Sequence, residues 1–276
     1  MKETLTSKQI DNLKGETLYR DKVGENILTI KENKHFRWLI SGGDCLQSIM
    51  AINEPEHLMM PVVHAMLLPY YCQEQVRNDV ENASISSDHA HTFVLNLGLG
   101  GGAIERALVK QSSTTVTTVE LVPEIISLYQ EFFNPMNKAW DQISSHSLNK
   151  HSDQIINQCA LSYLQANQQQ FDLVTCDIFS GDIQPSFLFD DIFYENLACA
   201  TSPQGTVALN LAINDNHQLL NLLTKTNAFF KHRAIVDFID YKNVVLYLSH
   251  SSISEAISKS MVSELGININ RYIVID

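Results

Sequence analysis

Short apolar runs, separated by polar pairs and glycines, fill residues 17 to 52: "TLYRDKV", "NILTIKEN", "HFRWLIS" and "CLQSIMAI", broken at Gly24-Glu25, Asn33-Lys34 and Gly42-Gly43-Asp44. That rhythm predicts a small antiparallel meander. A longer period follows in "PEHLMMPVVHAMLLPYY", where Leu58, Val62, Met66 and Pro69 recur at helical spacing and Pro61 either opens or kinks the helix. The stretch from Asn78 to His91 is polar and nearly free of large apolar residues, which makes it the best linker.

From Thr92 the pattern changes to apolar runs alternating with helical periods. Strands are expected at "TFVLNLG", "TTVTTVEL", "QIINQCA", "FDLVTCDIF" and "GTVALNLAI", the last after a turn at Ser202-Pro203-Gln204-Gly205. Helices are expected from Ala103, over Pro123 to Phe133, from Leu161 to an end near Gln168-Gln169-Gln170, around Phe187 to Cys199, and across "NHQLLNLLTKTNAFF". Near-continuous apolar strands joined by helices are the pattern of a buried parallel sheet. "AIVDFID" and "NVVLYLSH" flank Tyr241-Lys242 like a hairpin, so the sheet should finish antiparallel. The reading is α/β: residues 1–90 as a small β-rich section with a helical connection and linker, residues 91–276 as a Rossmann-like domain.

"FVLNLGLGGGAIERAL" sets Gly98, Gly100, Gly101 and Gly102 between a strand and a helix, in the pattern G-x-G-x-x-A with Ala103 last. Glycine there permits a tight turn and close approach of a ligand to the backbone. Glu120 ends the next strand, 22 residues after Gly98, where a carboxylate can accept both hydroxyls of a ribose. The alternative is a glycine-rich turn with an unrelated surface glutamate. NAD and S-adenosyl compounds both satisfy the pair. A group-transfer enzyme on such a sheet places its chemistry at the carboxyl ends of the strands, and "FDLVTC" delivers Asp177 to such an end.

Composition narrows the partners. Acidic residues number 31 against 19 basic, a net charge of −12, which disfavours phosphate backbones and anionic membranes and favours a cationic ligand. The five cysteines are odd in number, widely spaced and without a C-x-x-C pair, so they read as reduced thiols. The amino terminus lacks the apolar core of a signal peptide, and no run approaches the ~20 apolar residues that span a bilayer. A cytoplasmic protein without nucleic-acid or membrane partners is expected.

"VLNLGLGGGAIERAL", "VTTVELVPEII", "FDLVTCDIFSGDIQPSFLFDDIFYENL" and "SPQGTVALNL", preceded by "CLQSIM", resemble the polyamine aminopropyltransferases, in particular the divergent spermidine synthase-like branch, over residues 16 to 250. The resemblance implies a class I methyltransferase sheet with a small N-terminal antiparallel β domain, assembled as a homodimer or higher homo-oligomer and serving polyamine biosynthesis. It implies transfer of an aminopropyl group from decarboxylated S-adenosylmethionine to an amine, with the nucleoside as co-substrate and no tightly bound cofactor. It gives Asp177 the role of base, puts Asp182 beside it on a gating loop and brings Gln47 over the site. It seats the nucleoside between Gly98, Gly100, Gly101, Gly102, Glu120, Leu121 and the segment holding Cys159 and Ala160.

Three carboxylates of the family pattern are missing or displaced. The acid of the glycine loop matches Gly100, the acid that contacts adenine matches Cys159, and the tyrosine-plus-acid pair that grips the acceptor has only Glu56 and His57 in "NEPEHLMMP" as approximate counterparts. An unpaired buried ammonium is costly, so the change at Gly100 opens a second reading, a methyltransferase that uses intact S-adenosylmethionine. A third is a non-catalytic nucleoside-binding module. Asp190 and Asp191 are expected on an exposed helix face behind an apolar stripe of Leu188, Ile192 and Leu197, with Asp190 near the helix start. His89, His91, His146 and His151 lie in polar loops without acidic or thiol company at ligand spacing, so no metal site is expected. Cys176 reads as a core thiol.

Overall fold

The computed structural model describes residues 4–42, 45–74, 91–134, 154–181, 183–213, 215–239, 241–253, 257 and 269–275. After a short helix α1 (Ser7–Asp11), capped by Thr6, strands β1 (Glu16–Val23), β2 (Asn26–Glu32), β3 (Phe36–Ser41) and β4 (Cys45–Ala51) pair antiparallel in chain order. One group of their side chains, Leu28, Ile30, Leu39 and Met50, packs on Leu99, Leu128, Tyr129 and Phe133. The meander therefore rests on the start of the second sheet. Trp38 and Ile49 close against Met59 in a separate small cluster.

The second sheet contains β5 (Thr92–Leu97), β6 (Thr114–Glu120), β7 (Gln154–Asn157), β8 (Phe171–Cys176), β9 (Thr201–Ala212), β10 (His232–Phe238), β11 (Asn243–Ser249) and β12 (Ile269–Ile275). Its order is β12-β10-β11-β9-β8-β5-β6-β7. Pairing is parallel from β9 through β7 and antiparallel where β11 meets β9 and β10, and where β10 meets β12. Val94, Val116, Ala208 and Val245 face α2 (Pro61–Met66) and α3 (Ala103–Leu108). Leu95, Val174, Leu209 and Leu246 face the other way, towards α5 (Ala160–Ala166), α6 (Asp191–Ala200) and α7 (Asn216–Thr226). Burial on both faces is why these strands read as continuous apolar runs rather than alternating ones.

The differences from expectation are local. Pro61 opens α2, its missing N–H falling among the donors a helix start leaves unpaired. α2 stops at Met66, and helical backbone resumes over 68–74. The expected helix from Pro123 is α-helical only to Leu128 (α4); a π turn over Tyr129–Phe133 follows, closed by Asn134 N–H donating to Tyr129 O at 2.8 Å. The turn expected at 202–205 lies within β9, which meets β8 at Thr201 and again from Thr206, so those residues bulge out of the ladder. β12 was not expected. Ahead of α6 stands a separate 3-10 turn, Ser186–Phe189, with Asp190 at the helix N-cap. The buried stripe of α6 is Phe193, Tyr194, Leu197 and Ala200, while Ile192 is exposed. Asp191 lies on the wet face and pairs with Lys225.

The expected linker lies outside the described residues except for His91, and so do His89, His146 and His151. His91 is not a solvated loop residue: its Nε2 meets Thr115 Oγ1 at 2.7 Å and its ring packs against Phe93. None of the five cysteines is bonded to another. Among the described residues, no cluster of His, Cys, Asp and Glu could hold a metal ion, and no helix is long and apolar enough to cross a membrane.

The hydroxyl of the fully buried Tyr247 on β11 donates to Ala65 O of α2 at 2.7 Å. Tyr247→Phe keeps the ring and removes this tie, and should lower the free energy of unfolding by about 1 kcal/mol in urea titrations with an unchanged denaturant slope.

Candidate active site

Strand order reverses between β5 and β8: from β5 the chain proceeds to β6 and β7 on one side, and from β8 to β9 on the other. A crevice opens outside the carboxyl ends of strands at such a switch. β5 ends in the glycine turn and β8 ends in Asp177. The two are in contact. A methyl group at Gly98 would stand 2.3 Å from the carbonyl oxygen of Asp177, and Asp177 N–H donates to Leu97 O at 2.9 Å. Gly98, with φ +98°, thus has both a steric and a conformational reason to be glycine.

The turn is clamped from below. Gly102 has no room for a side chain because the ring of Tyr129 would lie 2.1 Å away, and Gly101 abuts Ser48 and Phe133. The π turn presents Tyr129 and Phe133 to the glycines. Above Gly100 the space is open; its nearest neighbour would be Gln47 O at 3.8 Å. Arg106 of α3, fully buried, donates to Gly101 O, to Pro55 O at 2.8 Å and to Ile49 O at 3.3 Å, with its guanidinium 5.9 Å from the ring centre of Phe133.

A second buried network lies beneath the turn. Asn96 Nδ2 donates to Gly98 O at 2.8 Å and to Glu105 Oε1 at 2.7 Å; Thr118 and Thr175 complete it by donating to Glu105 and Asn96. Burial pushes the Glu105 carboxyl upward, opposed by these donors.

Glu120 holds both edges of its corner, accepting Leu99 N–H at 3.0 Å on one oxygen and Val122 N–H at 2.8 Å on the other. Asn157, which the sequence did not single out, donates to the carbonyls of both Glu120 and Leu121, and Gln158 N–H donates to Glu120 O at 3.0 Å. These bonds bring Cys159 and Ala160, at the start of α5, beside Glu120. Leu121 is 64% exposed, an apolar plate on the rim.

Asp177 is half-buried. Burial is the larger influence and pushes its carboxyl up to about 6, against the opposing bond from Asn210 Nδ2 to Asp177 Oδ1 at 2.7 Å. Cys176 beside it is a fully enclosed thiol, pushed upward first by burial and then by Asp177. The loop after Asp177 is anchored at both ends. Gln47 Nε2 donates to Gly181 O at 3.0 Å and Asn26 Nδ2 to Ser180 Oγ at 3.2 Å, both from the small sheet. Gln184 Nε2 donates to Asn210 O at 3.0 Å and accepts Ala212 N–H at 2.9 Å. Asp182 lies outside the described residues. Glu56, weighed as a grip for an acceptor, is paired with Lys110 beyond the far end of α3, which lowers its carboxyl pKa.

A three-layered sheet with a glycine turn and a strand-end carboxylate at its switch point defines the methyltransferase-like class of α/β proteins. Residues 73–244, more than half of the chain, match the spermine/spermidine synthase domain, and the chain belongs to that family. Comparison with curated proteins gives no match. Among solved structures, the fold is similar to a probable spermidine synthase from Corynebacterium glutamicum, at 16% identity, TM-score 0.70, over 95% of this chain and 91% of that one. The spermidine synthase from Thermotoga maritima is similar at 16% identity, TM-score 0.62, over 98% and 86%. Human methyltransferase-like protein 13, in complex with SAH, aligns over 64% of this chain and 79% of its own at TM-score 0.51 and 16% identity.

The raised carboxyl of Asp177 has a consequence for stability. A folded-state pKa near 6 against 3.8 means that the folded protein holds this proton more tightly than the unfolded chain. The contribution is fully present below about pH 4 and is lost as pH rises through about 6. Asp177→Asn, which can keep an acceptor towards Asn210, should melt higher than the parent at pH 8, with the difference vanishing near pH 4 in calorimetric scans.

Proposed function

We propose that the protein is a spermidine synthase-like transferase that moves an aminopropyl group from decarboxylated S-adenosylmethionine to an amine. The observation that carries this reading is the contact between the glycine turn and the backbone of Asp177, which puts the turn beside the strand end that bears a carboxyl whose pKa burial raises to about 6. The attacking amine, with an ordinary pKa near ~10, must lose a proton to expose its lone pair. Its nitrogen bonds to the propyl carbon next to the sulfonium, the carbon–sulfur bond breaks, and its electrons return to sulfur, leaving methylthioadenosine. Asp177 takes the proton. Raising its pKa narrows the gap to the amine, which improves it as a base.

Glu120 uses one lone pair of each oxygen on backbone N–H groups, which leaves capacity for the two ribose hydroxyls. Leu121, Cys159 and Ala160 flank it as the walls of an adenine slot, Gly98 to Gly102 face the sulfonium side, and Gln47 closes over the site. Asp182 assists on the loop. We place the boundary between N-terminal section and catalytic domain near residue 90, and we expect a cytoplasmic homodimer that takes no nucleic-acid or membrane partner.

The open space above Gly100 favours a second reading in which intact S-adenosylmethionine is a methyl donor, because no acid there holds the ammonium or repels a carboxylate. Incubation with decarboxylated S-adenosylmethionine and a panel of di- and triamines should release methylthioadenosine, and Asp177→Asn should cut the rate at least 100-fold. kcat/KM should rise through a midpoint near pH 6. Absence of turnover with every amine would sink aminopropyl transfer. Calorimetric preference for intact S-adenosylmethionine, with release of its demethylated product, would establish the second reading instead.

A further inference from the structure

Asp177 is not met by a cation among the described residues. Its Oδ1 is held by an asparagine, and that asparagine is held by another. Asn210 on β9 donates through Nδ2 to Asp177 Oδ1 at 2.7 Å, while its own Oδ1 accepts Nδ2 of Asn243, the first residue of β11, at 2.9 Å. The two strands are antiparallel neighbours with Asn243 opposite Ala212, so Asn243 reaches Asn210 along one face of the sheet.

A primary amide is ambiguous by construction: one end donates and the other accepts, and a half-turn about its last bond exchanges them. Facing an ionised carboxylate, the NH₂ end is favoured; facing a protonated one, either end serves. The bond from Asn243 fixes the carbonyl end of Asn210 away from Asp177 and polarises the amide, which strengthens the N–H that meets the carboxylate. No donor among the described residues reaches Asp177 Oδ2, so that oxygen is left to take a proton. Gln184, bonded to the backbone at Asn210 and Ala212, keeps this part of β9 in register with the loop that follows Asp177.

We propose that Asn243 is a positioning residue for the base: acting through Asn210, it keeps Oδ1 of Asp177 as a hydrogen-bond acceptor and leaves Oδ2 as the proton-accepting oxygen. The role as base rests on the transfer reading above, but the relay does not. Other ionisable groups near Asp177 are few. Among the described residues they are the enclosed Cys176 thiol beside it, Glu120 at the end of β6 across the intervening β5, and the Cys45 thiol bonded to Gly181 O on its loop; Asp182 lies outside the described residues. Lys242, next to Asn243, instead lines a cavity with Asp215, Asp237 and Arg271.

The test is a carbon-13 titration of the Asp177 carboxyl in ligand-free protein, its signal assigned by loss in Asp177→Asn. Asn210→Ala should raise the midpoint by about 1 pH unit and Asn243→Leu, near-isosteric and without a donor, by about half a unit. In the Asn210→Ala background, Asn243→Leu should add nothing, since its effect passes through Asn210. Asn243→Ser, whose hydroxyl is too short to span the gap, is the second variant if leucine disturbs the strand, and the same upward shift is expected. With turnover, kcat/KM of Asn243→Leu should fall about threefold at pH 5 and be unchanged at pH 8. An unmoved midpoint in both Asn243 variants, or a shift that persists without Asn210, overturns the relay. A shifted midpoint with no transfer to any amine upholds the relay and sinks the transfer reading instead.

Discussion

The guanidinium of Arg106 is enclosed by carbonyl oxygens from three separate stretches of chain, Ile49 at the end of the meander, Pro55 in the connection and Gly101 in the glycine turn. Each carbonyl would lose a partner without it, and a buried charge demands that all of them stay in place. Burial lowers its pKa to about 10, still well above neutrality. The small sheet is therefore fastened to the glycine turn by charge-assisted bonds as well as by the apolar contact of Leu28, Ile30 and Met50 with Leu99 and Phe133. Everything the small sheet brings to the cleft, Gln47 first, depends on that attachment.

On this frame, the two acids of the crevice are treated in opposite ways. Glu120 receives two backbone N–H groups and takes part in the architecture of the corner. Asp177 receives one neutral side-chain amide and is otherwise left in a poorly solvated wall, so its charge is less well accommodated. Two carboxylates of the same sheet, separated by β5, thus differ in environment because one is satisfied by the main chain and the other is not.

Most of the secondary structure and the placement of the glycine turn, Glu120 and Asp177 at the strand ends could be read from the chain because they are locally encoded. Doubly buried strands are apolar throughout, glycines mark the turn, Glu120 ends its strand and Asp177 directly follows its own. The supporting residues were not legible, because their partners are remote or are backbone atoms. Asn210 lies 33 residues from Asp177, Asn157 recognises carbonyls, and Arg106 looks like any basic residue of an amphipathic helix until its three acceptors are known. β12 was missed for another reason: "INRYIVI" is an edge strand whose partner β10 lies far back in the chain, so no local turn announces the pairing. The π turn resisted prediction because a helix period continues through it, and its packing of Tyr129 against Gly102 joins residues remote in the chain.

The loop beyond Asp177 is gripped mainly by its peptide groups and by neighbours that reach in from outside. Gln47 takes hold of Gly181 O, and Gln184 ties itself to main-chain atoms of β9. Fastening of this kind is indifferent to most of the side chains the loop displays. Ile183, 68% exposed, can be exchanged without loosening the grip. Side-chain display and anchorage are thereby separated within half a dozen residues, so the displayed side chains are free to vary while the walls of the cleft stay where they are.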